Sequence, residues 1–287
     1  RIPVWYKGND MKVSFDSPGA GWTQDEQVLD TWFSSGLWPM STLGWPKNDL
    51  LENKAFPWDF EISAPEIKYL WIARMIMLSI YFTGKIPFKT MFFHGMLRDL
   101  EGRKFSKSLG NGIEPQYLIN NWGVDATRMA LYTYSIPGRD GRVSKGSMDE
   151  RGKNFRNFGT KLRNISKFVL DLKPDFSPNG DFKALEDDKI IAQLNETIKK
   201  VTKHLDELEL HLAVDTLYEF VWHDFADKYI EDSKNRRVEA QPTLENVLKQ
   251  VLILLHPFMP FLTEELYQKF EVKRVSIMLE DWPTSLN

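Results

Sequence analysis

At 287 residues the chain is long enough for about two domains, and its 42% hydrophobic and 27% charged content is ordinary for a globular protein without a membrane-length apolar run. Zero cysteines exclude disulfides, thiolate-zinc knuckles and cysteine nucleophiles and fit a cytoplasmic home; RIPVWYKGND has no signal-peptide core, and its start without Met leads us to expect a processed or excised piece. The net charge of −3 hides a block of about +8 over residues 103–170, which fits a polyanion partner, a solvated face being the alternative.

Residues 1–65 are rich in Pro, Gly and Trp and lack helical periodicity, so they read as short strands and loops. RIPVWY is a predicted strand, and VLDTWFSSGLW a turn of structure bounded by Gly36 and Pro39. EIKYLWIARMIMLSIYF, residues 66–82, is an apolar run of good helix formers with Pro65 at its start. Too short and interrupted to cross a membrane, it is expected to be a buried helix. TMFFHGML then reads as a short buried strand ending at Arg98 and Asp99. A helix, a buried strand and a Gly/Ser/Lys loop follow one another as in an α/β nucleotide fold.

Beyond Pro137 and GRDGR the pattern turns helical over residues 149–172, 182–208, 212–233, 242–255 and 261–270. KPDFSPNGD (173–181) is an expected loop, and the two prolines of HPFMP (256–260) an expected helix break. The fold class is therefore α/β followed by an all-α bundle.

The loop GRKFSKSLGN, residues 102–111, offers chemistry. Lys104 and Lys107 can bring two ammonium groups to one polyphosphate, and Ser106, Ser108 and Gly110 offer hydroxyls and open N–H groups. It is not a Walker A loop, because G-x-x-x-x-G-K-[ST] does not occur. On residue chemistry alone a solvated basic loop competes with phosphate binding.

KFSKSLGN resembles the K-M-S-K-S signature of the class I aminoacyl-tRNA synthetases, with Phe105 where Met is usual and RDLEGR and GIEP flanking it. VLDTWFSSGLWP, LWIARM, STLGWP, NFRNFGTKLRNISKFVL, LYEFVWHDFADKYIE and LLHPFMPFLTEELY resemble the valyl branch of that family. Thr31 and Ser34 follow the valyl pattern and depart from the isoleucyl D-V-W-F-D-S-G. The resemblance covers nearly the whole chain. It implies a partial Rossmann-like catalytic domain (1–103), a signature loop with stem-contact region (104–147) and a helical anticodon-binding domain (148–287).

The activity so implied is activation of valine with ATP and its transfer to tRNA(Val) by a monomer. Lys104 and Lys107 would be the catalytic pair, holding the triphosphate while the amino-acid carboxylate attacks the α-phosphate and pyrophosphate leaves. Mg²⁺ would assist, with no carboxylate here assigned to it. The family's His-x-Gly-His signature and editing domain do not occur in this sequence, and RIPVWY resembles the re-entry point after the editing insertion. The chain is therefore expected to be inactive alone. A stand-alone tRNA-binding module and an isoleucyl-type synthetase are the alternatives.

By the same resemblance Trp32, Ile67 and Trp71 line the valine pocket. Two indoles and a branched aliphatic do make a rigid apolar slot, and Ile67 and Trp71 stand at i and i+4 of a helix; plain core is the simpler reading without the resemblance. Such a slot separates valine poorly from threonine, a limit already established for valyl enzymes. Where the family has Gly-x-Asp, this chain has Ala64, Pro65 and Glu66. Glu66 can still accept ribose hydroxyls, while Ala64 narrows the approach. His94 and Gly95 are expected to face the adenosine, a structural histidine being the alternative.

In the helical half, Lys161, Asn164 and Phe168 fall at i, i+3 and i+7 on one face. An ammonium, an amide and a ring there can bind phosphate, bond a base edge and stack on a base. The resemblance assigns them to the tRNA anticodon; a core Phe168 with a solvated Lys161 is the alternative. Arg156, with Arg151, Lys153 and Arg163, is expected to attract phosphate. The histidines at 204, 211, 223 and 256 show no metal-ligand spacing, so no metal site is expected, and Trp222 and Phe225 are expected in the core.

Overall fold

The computed structural model describes residues 1–49, 54–106, 108–171, 184–271 and 273–285. They divide into two compact units, Arg1–Phe93 and His94–Asn287.

The first unit opens with an antiparallel sheet in the order β2-β1-β3, made of β1 (Val4–Lys7), β2 (Asp10–Val13) and β3 (Thr23–Gln24). The strand expected in RIPVWY is β1, and the Trp5 indole ties it down by donating to Ser14 O at 2.9 Å. Where a turn was expected, two short helices occur, α1 (Thr31–Gly36) and α2 (Trp38–Ser41). Six residues are too few for periodicity to reveal a helix. The readable signal was Asp30, whose carboxylate caps α1 by accepting from Trp32 N at 3.1 Å.

Two parallel strands, β4 (Trp58–Ser63) and β5 (Phe88–Phe93), pair from Trp58↔Phe88 to Ser63↔Phe93. Their crossover starts as a 3₁₀ turn at Pro65–Ile67, widens into a π-helix over Lys68–Ile72 and continues as α3 (Ala73–Thr83). Ile72 and Met75 pack on Phe88, and Leu78 packs with Met40 and Phe56. The expectation of a buried helix needs correction: Tyr69, Leu70, Met77 and Tyr81 are 74%, 60%, 53% and 79% exposed. A helix that is apolar all round needs cover on every side, and this unit covers only the face of Ile72, Met75 and Leu78. The expected strand also shifts, ending at Phe93 instead of Arg98, with Lys89 and Thr90 exposed.

In the second unit β6 (Leu97–Arg98) pairs in parallel with β7 (Gly141–Arg142). Between them in sequence lie α4 (Pro115–Trp122) and α5 (Val124–Tyr132), neither expected, although Pro115 at the first helical position was a start signal. The bundle follows as α6 (Lys145–Leu170), α7 (Leu185–Asp206) and α8 (Leu210–Glu219). The last runs through a π-helix at Phe220–Ile230 into α9 (Glu231–Ser233), before α10 (Arg237–Leu255) and α11 (Pro260–Tyr267). Ser144 and Ser147 form a capping box that starts α6 four residues before the expected Asp149.

α10 starts at Arg237, so Pro242 lies inside it and not at its beginning. At that depth a proline removes one helical hydrogen bond near the end, where tertiary packing of the helix outweighs the loss. Phe158, Leu162, Leu194, Leu217, Leu244 and Leu248 are fully buried in the shared core. The loop expected at residues 173–181 lies outside the described residues. No helix of the described residues is long and apolar enough to cross a membrane.

Candidate active-site loop and nucleic-acid groove

The chain approaches the signature loop through a tight turn. Asp99 N donates to Arg103 O and Gly102 N to Asp99 O, both at 3.0 Å, with Gly102 supplying the φ of +81°. Asp99 is buried, and its carboxylate accepts from Arg103 N and Nε, each at 2.7 Å, and from Asn111 Nδ2 at 2.9 Å. Burial by itself would raise its pKa. The Asn111 amide and the two Arg103 donors outweigh that effect and hold the group at about 2. Asn111 works at both ends, because its Oδ1 accepts from Ser106 N at 3.0 Å while Nδ2 also reaches Lys104 O at 3.3 Å.

One carboxylate and one amide therefore clamp the segment from Lys104 to Asn111. Within it Ser106 Oγ lies 2.6 Å from Ser108 Oγ and accepts from Leu109 N at 3.3 Å. Phe105 packs against the main core of the unit and anchors the loop. Lys104 bridges backbone to backbone with Arg98. Lys107 lies outside the described residues. Neither Asp99 nor Asn111 was singled out from sequence, since their roles appear only once the turn brings them together.

A carboxylate with a depressed folded pKa stabilises the fold above its unfolded value, about 3.9 for Asp, and loses that contribution as pH falls through the folded value. The clamp is accordingly expected to persist below about 3.9 and to release near about 2. The Asn111 side-chain amide resonances would report it, and release at the ordinary Asp value would contradict the clamp.

Just upstream, Met96 N and Arg98 Nε donate to Asp140 at 2.8 and 2.5 Å, and His94 bridges Pro137. Gly95 lies against that same segment: a Cβ on it would fall 1.8 Å from Arg139 O. Its lack of a side chain is thus accounted for by its own chain without any nucleoside. His94 Nδ1 sits 2.8 Å from Gly95 O.

In the first unit, Trp71 Nε1 donates to Ser35 O at 3.0 Å and so ties the π-helix to α1, which carries Trp32. The Arg74 guanidinium stands 4.3 Å over the Trp32 ring, while Trp71 packs on the cluster of Ile72, Met75 and Phe88. Trp32, Ile67 and Trp71 are all half-buried. The regular helical face expected for Ile67 and Trp71 is not present, because Ile67 ends a 3₁₀ turn and Trp71 lies in the π-helix. Such wide turns are frequent at functional sites. Ala64 is extended and precedes the turn, and Glu66 is exposed in it.

In the second unit, Lys161, Asn164 and Phe168 do share a face of α6. With Asp227 and Glu231 of the opposite helical segment they line an open groove of about 470 Å³. Lys161 is not simply solvated: its ammonium ion-pairs with Asp227 and stands 4.3 Å over the Trp222 ring. Lys161 holds the Asp227 carboxyl below its usual range by hydrogen bonding, against some desolvation and with help from His223. The Arg237 guanidinium covers the Phe168 ring at 4.2 Å and donates to Phe168 O. Phe225 is fully buried as expected, whereas Trp222 is half-buried, stacked on Tyr218 at 5.5 Å.

The basic residues expected to attract phosphate along α6 have partners in the chain. Arg151 donates to Tyr134 Oη at 3.1 Å, Arg156 to Asn121 O at 3.2 Å, and Arg163 ion-pairs with Glu265. Lys153 is exposed. Among the histidines, His204 has its ligand atom within 4.8 Å of those of Glu207 and Glu209, and its Nδ1 already lies 2.8 Å from Glu209 Oε2. The group forms only when Leu208, at φ +60°, turns the chain between α7 and α8.

Comparison with known proteins places these features in context. Residues 5–144 match the family described as tRNA synthetases class I (I, L, M and V), and residues 187–287 the anticodon-binding domain of tRNA ligase. The chain is 41% identical over 305 residues to a valine–tRNA ligase of Lactococcus lactis subsp. lactis, and 42% over 301 residues to one of Bacillus cereus. Each alignment covers 99% of this chain and 34% of the relative, so the chain spans about a third of the length of these curated relatives. Among solved structures, the LeuRS–tRNA–LeuAMS ternary complex from Agrobacterium radiobacter superposes with a TM-score of 0.74 at 22% identity, over 94% of this chain and 35% of that one. The methionyl-tRNA synthetase of Mycobacterium tuberculosis with methionyl-adenylate gives 0.65 at 22%, over 92% and 53%. At such identities the likeness carries the fold.

Proposed function

Because the chain belongs to the class I tRNA synthetases, we propose that it is part of a valine–tRNA ligase, bearing the signature loop of the ATP site and the anticodon-binding bundle. The observation that carries this reading is the 41–42% identity to valine–tRNA ligases along 99% of the chain. In this reading the valine carboxylate attacks the α-phosphorus of ATP, the bond to the bridging oxygen breaks, and pyrophosphate departs with the electron pair. Lys104 and Lys107 hold the triphosphate and stabilise the charge that moves onto the leaving group. The clamp of Asp99 and Asn111 fixes the backbone from which Lys104 projects, so little reorganisation is needed at the moment of reaction.

Trp32, Ile67 and Trp71 form the slot for the isopropyl group. Mg²⁺ would assist this chemistry, and no carboxylate of the loop is assigned to it. Both oxygens of Asp99 are engaged by Arg103 and Asn111, and Glu101 pairs with Arg103. No step is therefore assigned to a protein-held metal. Lys161, Asn164 and Phe168 receive the anticodon of the tRNA that accepts the activated valine.

Amino-acid-dependent ATP–pyrophosphate exchange by the protein that carries this chain tests the reading. Valine is expected to support exchange, and Lys104→Ala to lower it by about 100-fold without changing tRNA affinity. Faster exchange with isoleucine would point to the isoleucyl branch, and tRNA binding with no exchange for any amino acid to a binding module.

A further inference from the structure

The groove on α6 has little to offer a phosphate and more to offer a base. Among its described lining residues Lys161 is the one Lys or Arg, and it is already paired with Asp227. The opposite wall adds Glu231, which Lys234 reaches at 2.6 Å. At the end of the groove Arg237 is engaged with the ring and carbonyl oxygen of Phe168. An entering phosphate would meet two carboxylates and no unpaired cation of the lining.

A neutral base meets a different surface. Lys161 engages Asp227 Oδ1, while among the described residues Oδ2 has His223 Nδ1 at 3.5 Å, and a carboxylate oxygen with one such contact can accept from a further donor. Ammonium and carboxylate thus stand side by side, a donor beside an acceptor. On the Watson–Crick edge their complement is an exocyclic amino group beside an unprotonated ring nitrogen, as in adenine and cytosine; guanine and uracil carry an N–H at that ring position of the same edge. Ile165 and Phe168 supply apolar flanks on the same groove.

We propose that Asp227 is a specificity-determining residue of this groove: its carboxylate accepts the exocyclic amino group of an adenine or cytosine while Lys161 donates to the adjacent ring nitrogen. This rests on the reading of the groove as an anticodon site. The same carboxylate keeps the Lys161 ammonium from acting as a general phosphate contact, and so trades nonspecific RNA affinity for base selectivity.

The test is binding of the 287-residue chain to a valine tRNA transcript and to transcripts in which single anticodon adenines or cytosines are replaced by purine or 2-pyrimidinone, which lack the amino group. The wild-type chain is expected to lose about tenfold in affinity at one such position. Asp227→Ala should bind the modified and unmodified transcripts equally. It should also bind unrelated RNA more tightly, with a salt slope steeper by about one as the Lys161 ammonium is freed. Asp227→Ser gives the same readout should the alanine variant melt early. A wild-type preference that survives in Asp227→Ala, or no loss with any analogue, would overturn the proposal. Were Lys161→Ala and Phe168→Ala both to leave tRNA affinity unchanged, the anticodon reading itself would fall.

Discussion

Asp187→Ala is expected to destabilise the helical unit by about 3–5 kcal/mol, the range for removing one partner of a buried ion pair. Asp187 is 1% exposed and serves three elements at once. Its carboxylate accepts from Ala184 N at 3.0 Å, which caps α7; from Tyr229 Oη at 2.5 Å, on the π-helix; and from Arg236 Nη1 and Nη2 at 2.9 and 2.7 Å, just before α10. Burial pushes its pKa up, but the Arg236 and Tyr229 hydrogen bonds win and leave it below the usual range. Its contribution is therefore complete above the ordinary Asp pKa and disappears as pH falls through the lower folded value.

Alanine leaves the Arg236 guanidinium and the Tyr229 hydroxyl without their acceptor in a largely dry site. For a unit of this size the loss corresponds to a melting temperature lower by about 10 °C. Thermal unfolding of the intact chain followed by circular dichroism would measure it. A paired replacement, Asp187→Leu with Arg236→Met, should recover part of the loss, because it removes the stranded charge. A melting temperature within about 2 °C of wild type for the single variant would show that the network does not hold these elements together.

Gly95→Ala is expected to be nearly as damaging, at about 3 kcal/mol or more, and to act on the signature loop as well. The added carbon would lie 1.8 Å from Arg139 O and 2.5 Å from Arg139 C, and the obstacle is backbone. That backbone cannot withdraw freely, since Asp140 is held by Met96 N and Arg98 Nε. One side must give way, and with it the pairing of β6 with β7 and the bridge from Arg98 to Lys104. Hydrogen exchange at Gly141 N and Val143 N, which donate to Met96 O and Arg98 O at 2.9 Å, should lose protection. On the proposed function, amino-acid-dependent exchange by the protein that carries this chain should also fall, although neither Lys104 nor Lys107 has changed. Wild-type protection at both amides would contradict the steric argument.

These cases show where sequence reading succeeded and where it stopped. The helical bundle was legible because long amphipathic helices repeat their apolar positions many times, so α6, α7 and α10 announced themselves despite boundary errors of a few residues. Short elements repeat too little: α1, α2, α4 and α5 showed only in local capping signals such as Asp30 and Pro115. The π-helices at Lys68–Ile72 and Phe220–Ile230 have no sequence period of their own, and they re-aim the side chains on which both candidate sites depend.

By itself the sequence determined the residue types that could do the chemistry: the lysines and serines of the loop, the indoles of the first unit, and the ammonium, amide and ring on α6. It determined the family too, because many short local patterns agreed at once. Tertiary structure alone decided how those groups are held and what tempers them. Asp99 and Asn111 clamp the loop, Arg139 fills the space beside Gly95, and Asp227 neutralises Lys161 from 66 positions away in sequence. Spacing along a chain can place residues on one face of one helix. Whether a charge finds a partner, or a glycine meets a backbone, depends on segments that only folding brings within a few ångströms.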